Sequence, residues 1–446
     1  MISLRFHPVS ELRFEDLLRG AGRIAALRLL GLATAFAAQV LLARWLGIRE
    51  FGLYTYALSW CLLLSVPVAL GLPTSVVRIV SEKTARGEHA KAAGVIRWSS
   101  RWSLASGLSA GGACIAATLL IPGIPEPYVV PLVLGFLMLP LFSRMRVQAG
   151  LARGFNRGIL AYAPDMLLRH LAVMAAVGAL HYGTGRVDGV QALAATGFSL
   201  LLLVAGQHAV FRSGLPREVR EAEPACEQRS WFGIALPLVL VAGFETITDR
   251  LDVLMIGFFL GPSDVACYHA ASRLAGLILL AIVSVNALAA PRISALYATG
   301  RHRELQETLS RVMPWIFWPS ALLCTGMTAL GKPGLSLFGP DFVRGYPALV
   351  ILCFAQLLNA CAGPALLVLN MTGLQVRSAF IFGAAALFNG TANLLLIPRY
   401  GIEGAAAATG ATIVLWNAWM VVTVRRERGI LTHVFALGPG RDRSPR

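Results

Sequence analysis

The sequence predicts an all-α polytopic membrane protein of about twelve transmembrane helices, in two parallel six-helix lobes around a central cavity. Three observations predict it: scarcity of charge, the length of the apolar runs, and a repeat spanning about half the chain. Of 446 residues, 56% are hydrophobic and only 14% are Asp, Glu, Lys or Arg, where soluble domains carry roughly 25% charged residues. The mean hydropathy is +0.67. Ile24–Ala43, Leu53–Val77, Ile159–Leu180, Leu193–Val210 and Leu349–Leu369 each approach the ~20 residues that a helix needs to cross a bilayer. Backbone polar groups find no water there, so these segments are helices, and weak alternation excludes a β-barrel.

Gly, Pro and charge clusters cut the chain into apolar segments near 24–46, 52–78, 98–121, 128–150, 159–182 and 188–211, then 232–260, 264–290, 311–331, 346–369, 376–397 and 402–424. The organisation expected is a segment 1–22, an N-lobe 23–213, a linker 214–230 containing Pro216 and Pro224, a C-lobe 231–424 and a basic tail 425–446. Thirty Lys and Arg residues fall on one set of alternate connections and on the termini, against six on the other. Cytoplasmic loops carry the excess of positive charge, so both termini are expected in the cytoplasm. Trp45, Trp98, Trp231 and Trp315 stand near the expected span ends, where amphipathic rings favour the interface.

The net charge of +16 is spread through short connections rather than gathered into a basic domain, so nucleic-acid binding is not expected. The seven cysteines form no C-x-x-C pair, and neither a disulfide framework nor a metal site is implied. Glu11, Glu15 and Asp16 interrupt the first twenty residues, so no cleavable signal peptide is expected.

The repeat begins with Leu46-Gly47, which returns 214 residues later as Leu260-Gly261; in the same register Tyr54 matches Tyr268 and Ala57 matches Ala271. A second echo pairs Asp188-Gly189 and Ala195-Thr196-Gly197 with Glu403-Gly404 and Ala408-Thr409-Gly410. A third, weaker, pairs Pro73 with Pro291, each expected to end a span before a charged loop. Six spans per half is an even number, so both halves enter the membrane in one direction, as parallel repeats do.

Five segments resemble the bacterial polysaccharide and O-antigen flippases of the multidrug/oligosaccharidyl-lipid/polysaccharide exporter superfamily. They are LARWLGIREFGLYTYA at 42–57, GLPTSVVRIVSEKTARGE at 71–88, DRLDVLMIGFFLGPSDVACYHAASRL at 249–274, LFGPDFVRGYPALVILCFAQLLNACAGPALLVLNMTGLQ at 337–375 and LIPRYGIEGAAAATG at 396–410. Their order and spacing carry the resemblance. It implies an inner-membrane transporter, not an enzyme, that moves an undecaprenyl diphosphate-linked oligosaccharide by alternating access. Partners implied are that lipid-linked oligosaccharide, membrane lipids, and a glycan polymerase with glycosyltransferases.

Charge inside a bilayer is costly and is used or paired. Glu245, Asp249 and Asp252 stand at i, i+4 and i+7 of the seventh segment, so all three acids share one helical face. They either couple transport to an ion (H⁺ or Na⁺), contact the substrate head group, or lock a salt bridge with Arg250 or Arg273. No other cofactor is expected. The diphosphate named by the resemblance needs cations, and Arg offers a planar fork of donors. Candidates are Arg28, Arg78, Arg144, Arg146, Arg169, Arg250 and Arg273; Arg28, Arg250 and Arg273 are preferred, whereas Arg78, Arg144 and Arg146 also suit a topological anchor. Arg169 follows Asp165 by four residues, a helical ion-pair spacing. Asn359, Asn370, Asn389 and Asn393 either bind sugar hydroxyls or bond between helices.

Multidrug extrusion on the same fold is the nearest alternative, and an Arg-rich cavity argues against cationic drugs. A major-facilitator transporter would carry Asp-Arg-x-Gly-Arg after span two, where this chain reads SEKTARGEHAKA at 81–92. A membrane glycan polymerase or glycosyltransferase would carry a sizeable outer or acidic loop, and the outer connections are short. A structural scaffold would have no use for intramembrane charge. No G-x-x-x-x-G-K-[ST] occurs, and Gly331-Lys332 is followed by Pro333, so ATP use is not expected.

Overall fold

The computed structural model describes residues 14–225 and 228–434, and every regular element among them is helical. In chain order these are α1 (Phe14–Val68), α2 (Leu72–Ala85), α3 (His89–Leu120), α4 (Glu126–Leu137), α5 (Leu139–Gly154), α6 (Gly158–Ala163), α7 (Arg169–Thr184), α8 (Gly189–Ser213) and α9 (Arg217–Glu221). Then follow α10 (Gln228–Phe259), α11 (Pro262–Gly276), α12 (Leu279–Ala298), α13 (His302–Ala329), α14 (Gly331–Ser336), α15 (Tyr346–Ala362), α16 (Ala365–Met371) and α17 (Gln375–Arg428). A π-helical turn, Pro164–Leu168, joins α6 to α7, and a 3₁₀ turn, Pro340–Gly345, precedes α15.

All twelve expected apolar segments fall on helix, and among the described residues eight stretches are long and apolar enough by themselves to cross a membrane. The chain is a multi-pass membrane protein. Part of the difference in number is a matter of glycine. Helices α1 and α17 each run through two expected spans and break at Gly47 (φ 76°) and Gly401 (φ 60°), backbone that only glycine enters without strain. Other expected spans are split internally. The second breaks at Leu70 and Gly71 before Pro73, and the tenth at Gly363 before Pro364. Proline supplies no N–H and disfavours helix in the residue before it. The third echo of the repeat fails on inspection: Pro73 sits in the first turn of α2, and Pro291 lies inside α12. Neither ends a span.

The chain forms two compact units, Met1–Thr246 and Ile247–Arg446. The boundary therefore lies within α10, downstream of the expected linker. The reason is local packing: Ala225 N–H donates to the Ala90 carbonyl at 3.0 Å, and Trp231 packs on Trp98 with ring centroids 5.3 Å apart. Both tryptophans are buried, at 1% and 7% exposure, so they are core residues of the first unit and not interfacial anchors. They join Leu72, Val76, Val95, Leu151 and Phe211 in one apolar cluster. In the second unit Ile293, Leu305, Leu309, Val368, Ile381 and Met420 do the same.

Small residues let α3 approach α4 and α5. A Cβ on Gly111 would lie 2.7 Å from the Phe136 carbonyl oxygen, and one on Gly107 would overlap Pro140. Gly111→Ala should therefore lower stability by about 1–3 kcal/mol, the usual cost of overpacking. Thermal unfolding in detergent reads this, and an unchanged midpoint would show that α3 yields freely.

Candidate functional site

In the first unit, α1, α2, α5 and α6 enclose a cavity of about 300 Å³ whose polar lining includes Arg146, Arg153, Tyr162 and Asp165. The π-helical turn sets its geometry. Pro164 begins the turn, and the Arg169 N–H reaches back to the Pro164 carbonyl, five residues away. Such π-bulges recur at functional sites because they re-aim the side chains they carry. Here the turn carries Asp165. Arg169 Nε donates to Asp165 Oδ1 at 2.9 Å, the ion pair that the i,i+4 spacing predicts. Arg169 also lies 5.9 Å from the Phe142 ring centroid, and Arg28 stacks 4.9 Å over the ring of Tyr162. Arg146 and Arg169 both act electrostatically on Asp165. Arg153 Nη2 donates to the Pro73 carbonyl at 2.8 Å.

The structure thus brings together four residues chosen from sequence, Arg28, Arg146, Asp165 and Arg169, and adds Tyr162 and Arg153. Arg146 and Arg169 act on the one carboxylate, Arg153 lines the same cavity and Arg28 stands over Tyr162, so the neighbourhood is net cationic. Two other candidates stand apart. Arg78 is exposed on α2 and does not line this cavity. Arg144 lines a different cavity altogether: residues two apart on a helix point about 200° from each other, so Arg144 and Arg146 cannot serve one pocket.

In the second unit, Asp252 is 5% exposed and is held by neutral donors from α11 and from both arms of α17. Tyr268 Oη on α11 donates to Oδ2 at 2.7 Å, Asn393 Nδ2 on α17 donates to Oδ1 at 2.8 Å, and Thr409 Oγ1 donates to Oδ2. Asn393 Nδ2 also reaches the Asn389 carbonyl at 3.0 Å. No Arg or Lys pairs with Asp252 among the described residues, so the salt bridge weighed for it with Arg250 or Arg273 does not form. The shared acidic face is also divided. Asp249 is exposed while Asp252 is buried, and the side chain of Glu245 lies outside the described residues. Arg250 is half-buried, and Arg273 is exposed with Nε 3.4 Å from His269 Nε2. Inter-helix bonding accounts for another of the asparagines: Asn417 Nδ2 donates to Asn359 Oδ1 at 3.0 Å.

The repeat reappears in these side chains. Tyr54 Oη lies 3.2 Å from Thr196 Oγ1 in the first unit, and Tyr268 Oη lies 3.1 Å from Thr409 Oγ1 in the second. In that register Asp252 corresponds to Ala38, which is buried at 1% exposure. The Tyr–Thr contact is common to both units, and the buried carboxylate belongs to one.

Residues 17–297 match the profile of a family described as polysaccharide biosynthesis protein. Over 418 residues, 88% of this chain and 80% of the relative, the sequence is 22% identical to a probable low-salt glycan biosynthesis flippase, Agl15, of Haloferax volcanii. The fold is similar to that of an inward-facing multidrug resistance MATE family transporter of the MOP superfamily. The TM-score is 0.76 over 93% of this chain and 98% of that one, at 14% identity. It is also similar to the lipid II flippase MurJ in an inward closed conformation, with a TM-score of 0.73 over 90% of this chain and 87% of that one, at 13% identity. At these identities the likeness is one of fold.

Proposed function

From the premise that this chain belongs to the polysaccharide biosynthesis protein family, we propose that it is a flippase for a lipid-linked oligosaccharide. The substrate proposed is a glycan on undecaprenyl diphosphate, carried across a bacterial inner membrane by alternating access in polysaccharide or O-antigen export. The observation that carries this reading is the cationic cavity of the first unit, where Arg146 and Arg153 line the space and Arg169 holds Asp165. Guanidinium groups suit phosphate oxygens through paired donors, and a cavity of that charge repels the cations that a multidrug extruder takes. The flippase relative in Haloferax volcanii supports the same class of substrate. A glycan polymerase and glycosyltransferases are the partners that would supply and consume the cargo.

For the driving force we propose an ion, H⁺ or Na⁺, taken at Asp252. A buried carboxylate with the Tyr268 and Thr409 hydroxyl oxygens against it offers hard ligands to a small cation. The test of the whole reading is translocation in proteoliposomes containing the purified chain and a fluorescent undecaprenyl diphosphate oligosaccharide. Movement of the probe across the bilayer should require the protein and quicken under an imposed ion gradient. Movement equal to that in protein-free vesicles would overturn the reading.

Orientation makes its own prediction. With thirty basic residues on one side, a cysteine placed in 122–125 should react with an impermeant thiol reagent outside intact cells. One placed in 216–223 should react only after lysis. The reverse pattern would invert the topology.

A further inference from the structure

A second basic cavity, of about 370 Å³, lies in the first unit between α3, α5, α8 and α9. Arg97, Arg101, Arg144, His208, Arg212 and Arg220 line it, and among the described residues no Asp or Glu does. The cavity between α12 and α13 in the second unit shows the contrast, because there Glu304 and Glu307 accompany Arg292 and Arg311. Arg144 is the informative residue. It is 7% exposed, its Nη2 lies 3.2 Å from His208 Nδ1, and its Nη1 is buried with no hydrogen-bond partner among the described residues. A buried guanidinium with one donor unused, beside a ring nitrogen and facing further arginines, is an unfavourable arrangement unless an anion completes it. None of Arg97, Arg101, Arg212 and Arg220 forms an ion pair among the described residues.

We propose that this cavity binds the phosphate of an anionic phospholipid, at a site separate from the cargo cavity. The anion is a phosphate because several guanidinium groups converge on one space, and their forks suit phosphate oxygens. Its source is a lipid because apolar side chains stand among the cations. Ile96, Leu104, Phe211 and Leu215 share the lining. Leu104 and Leu108 project outward from α3 at 40% and 64% exposure, giving an acyl chain a surface to follow. The four exposed arginines also belong to the connections richest in positive charge, where basic clusters meet anionic head groups. The site goes beyond transport, and its binding is measured without any cargo.

The test uses the purified full-length chain in neutral detergent, with thermal unfolding followed as phosphatidylglycerol, phosphatidylcholine or inorganic phosphate is added. Phosphatidylglycerol should raise the midpoint, while phosphatidylcholine and inorganic phosphate at equal concentration should leave it unmoved. Arg101→Gln with Arg220→Gln, both exposed and safe for folding, should weaken the phosphatidylglycerol response by about tenfold or more. Arg144→Gln removes the uncompensated buried charge, so it should melt higher than the unmodified chain without lipid and lose the lipid response. An equal response to phosphatidylcholine, or an undiminished response in the double variant, would overturn the proposal. A full shift from inorganic phosphate alone would replace the lipid with a free anion. An Arg144→Gln variant that melts lower yet keeps the lipid response would make Arg144 a packing residue.

Discussion

Asp252→Asn is expected to leave the protein folded and inserted while abolishing the gradient dependence of export. The substitution preserves shape and removes only charge, so what it disturbs is the hydrogen-bond pattern. Tyr268 and Thr409 both donate to Oδ2, and Asn393 donates to Oδ1. The new amide can keep its oxygen toward the first two donors. Its NH₂ then meets Asn393, whose Oδ1 is buried without a partner among the described residues and can turn to accept. One rearranged hydrogen bond costs about 1–2 kcal/mol, too little to unfold the chain. The fixed negative charge, the one feature that attracts a cation into this neutral shell, is gone. The measurement is translocation with and without an imposed proton or sodium gradient, alongside thermal unfolding. Gradient-dependent export at the unmodified rate would remove Asp252 from the coupling mechanism. A double-mutant cycle of Asp252→Asn with Tyr268→Phe, scored by unfolding, should show coupling of about 0.5–3 kcal/mol. The same cycle with Arg273 should show almost none, because Arg273 does not touch Asp252.

Much of this site was legible in the sequence, because repeats and intramembrane charges are local signals. The spacing of Asp165 and Arg169 encodes their ion pair, and Tyr54 and Tyr268 lie in the echo that carries Thr196 and Thr409. The Tyr–Thr contacts could have been read from the two echoes together. What escaped depended on long-range packing. Nothing in the order of residues says that Asn393 reaches across 141 positions to Asp252, or that Trp98 and Trp231 bury one another rather than anchor at an interface. The separation of Arg144 from Arg146 was within reach, since a helix sends alternate residues to opposite sides. The extent of the first unit was not, because a polar stretch with two prolines looks like a linker whether or not it docks on α3.

Arg146→Ala should reduce export by about ten- to a hundredfold with normal protein in the membrane. Arg146 lines the cavity of the first unit beside Asp165, and Asp165 already has Arg169 at 2.9 Å. Arg146 is thus cationic charge that the local acid does not need, and charge of that kind is free to meet a diphosphate. A hydrogen bond to a charged group contributes about 1.5–3 kcal/mol, which corresponds to the loss expected. Arg146→Lys keeps the charge but presents a point where the fork offered two parallel donors, so it should fall between the unmodified chain and the alanine variant. Arg169→Ala should behave differently, because it strands Asp165 against the cavity and lowers stability together with export. Arg78→Gln is the control, since Arg78 is exposed and lies outside that cavity; its export should match the unmodified chain. Translocation of the fluorescent diphosphate oligosaccharide in proteoliposomes separates these variants, with thermal unfolding read on each. Full translocation by Arg146→Ala would mean that the phosphates are held elsewhere, and Arg250 and Arg273 of the second unit would then be the next residues to replace.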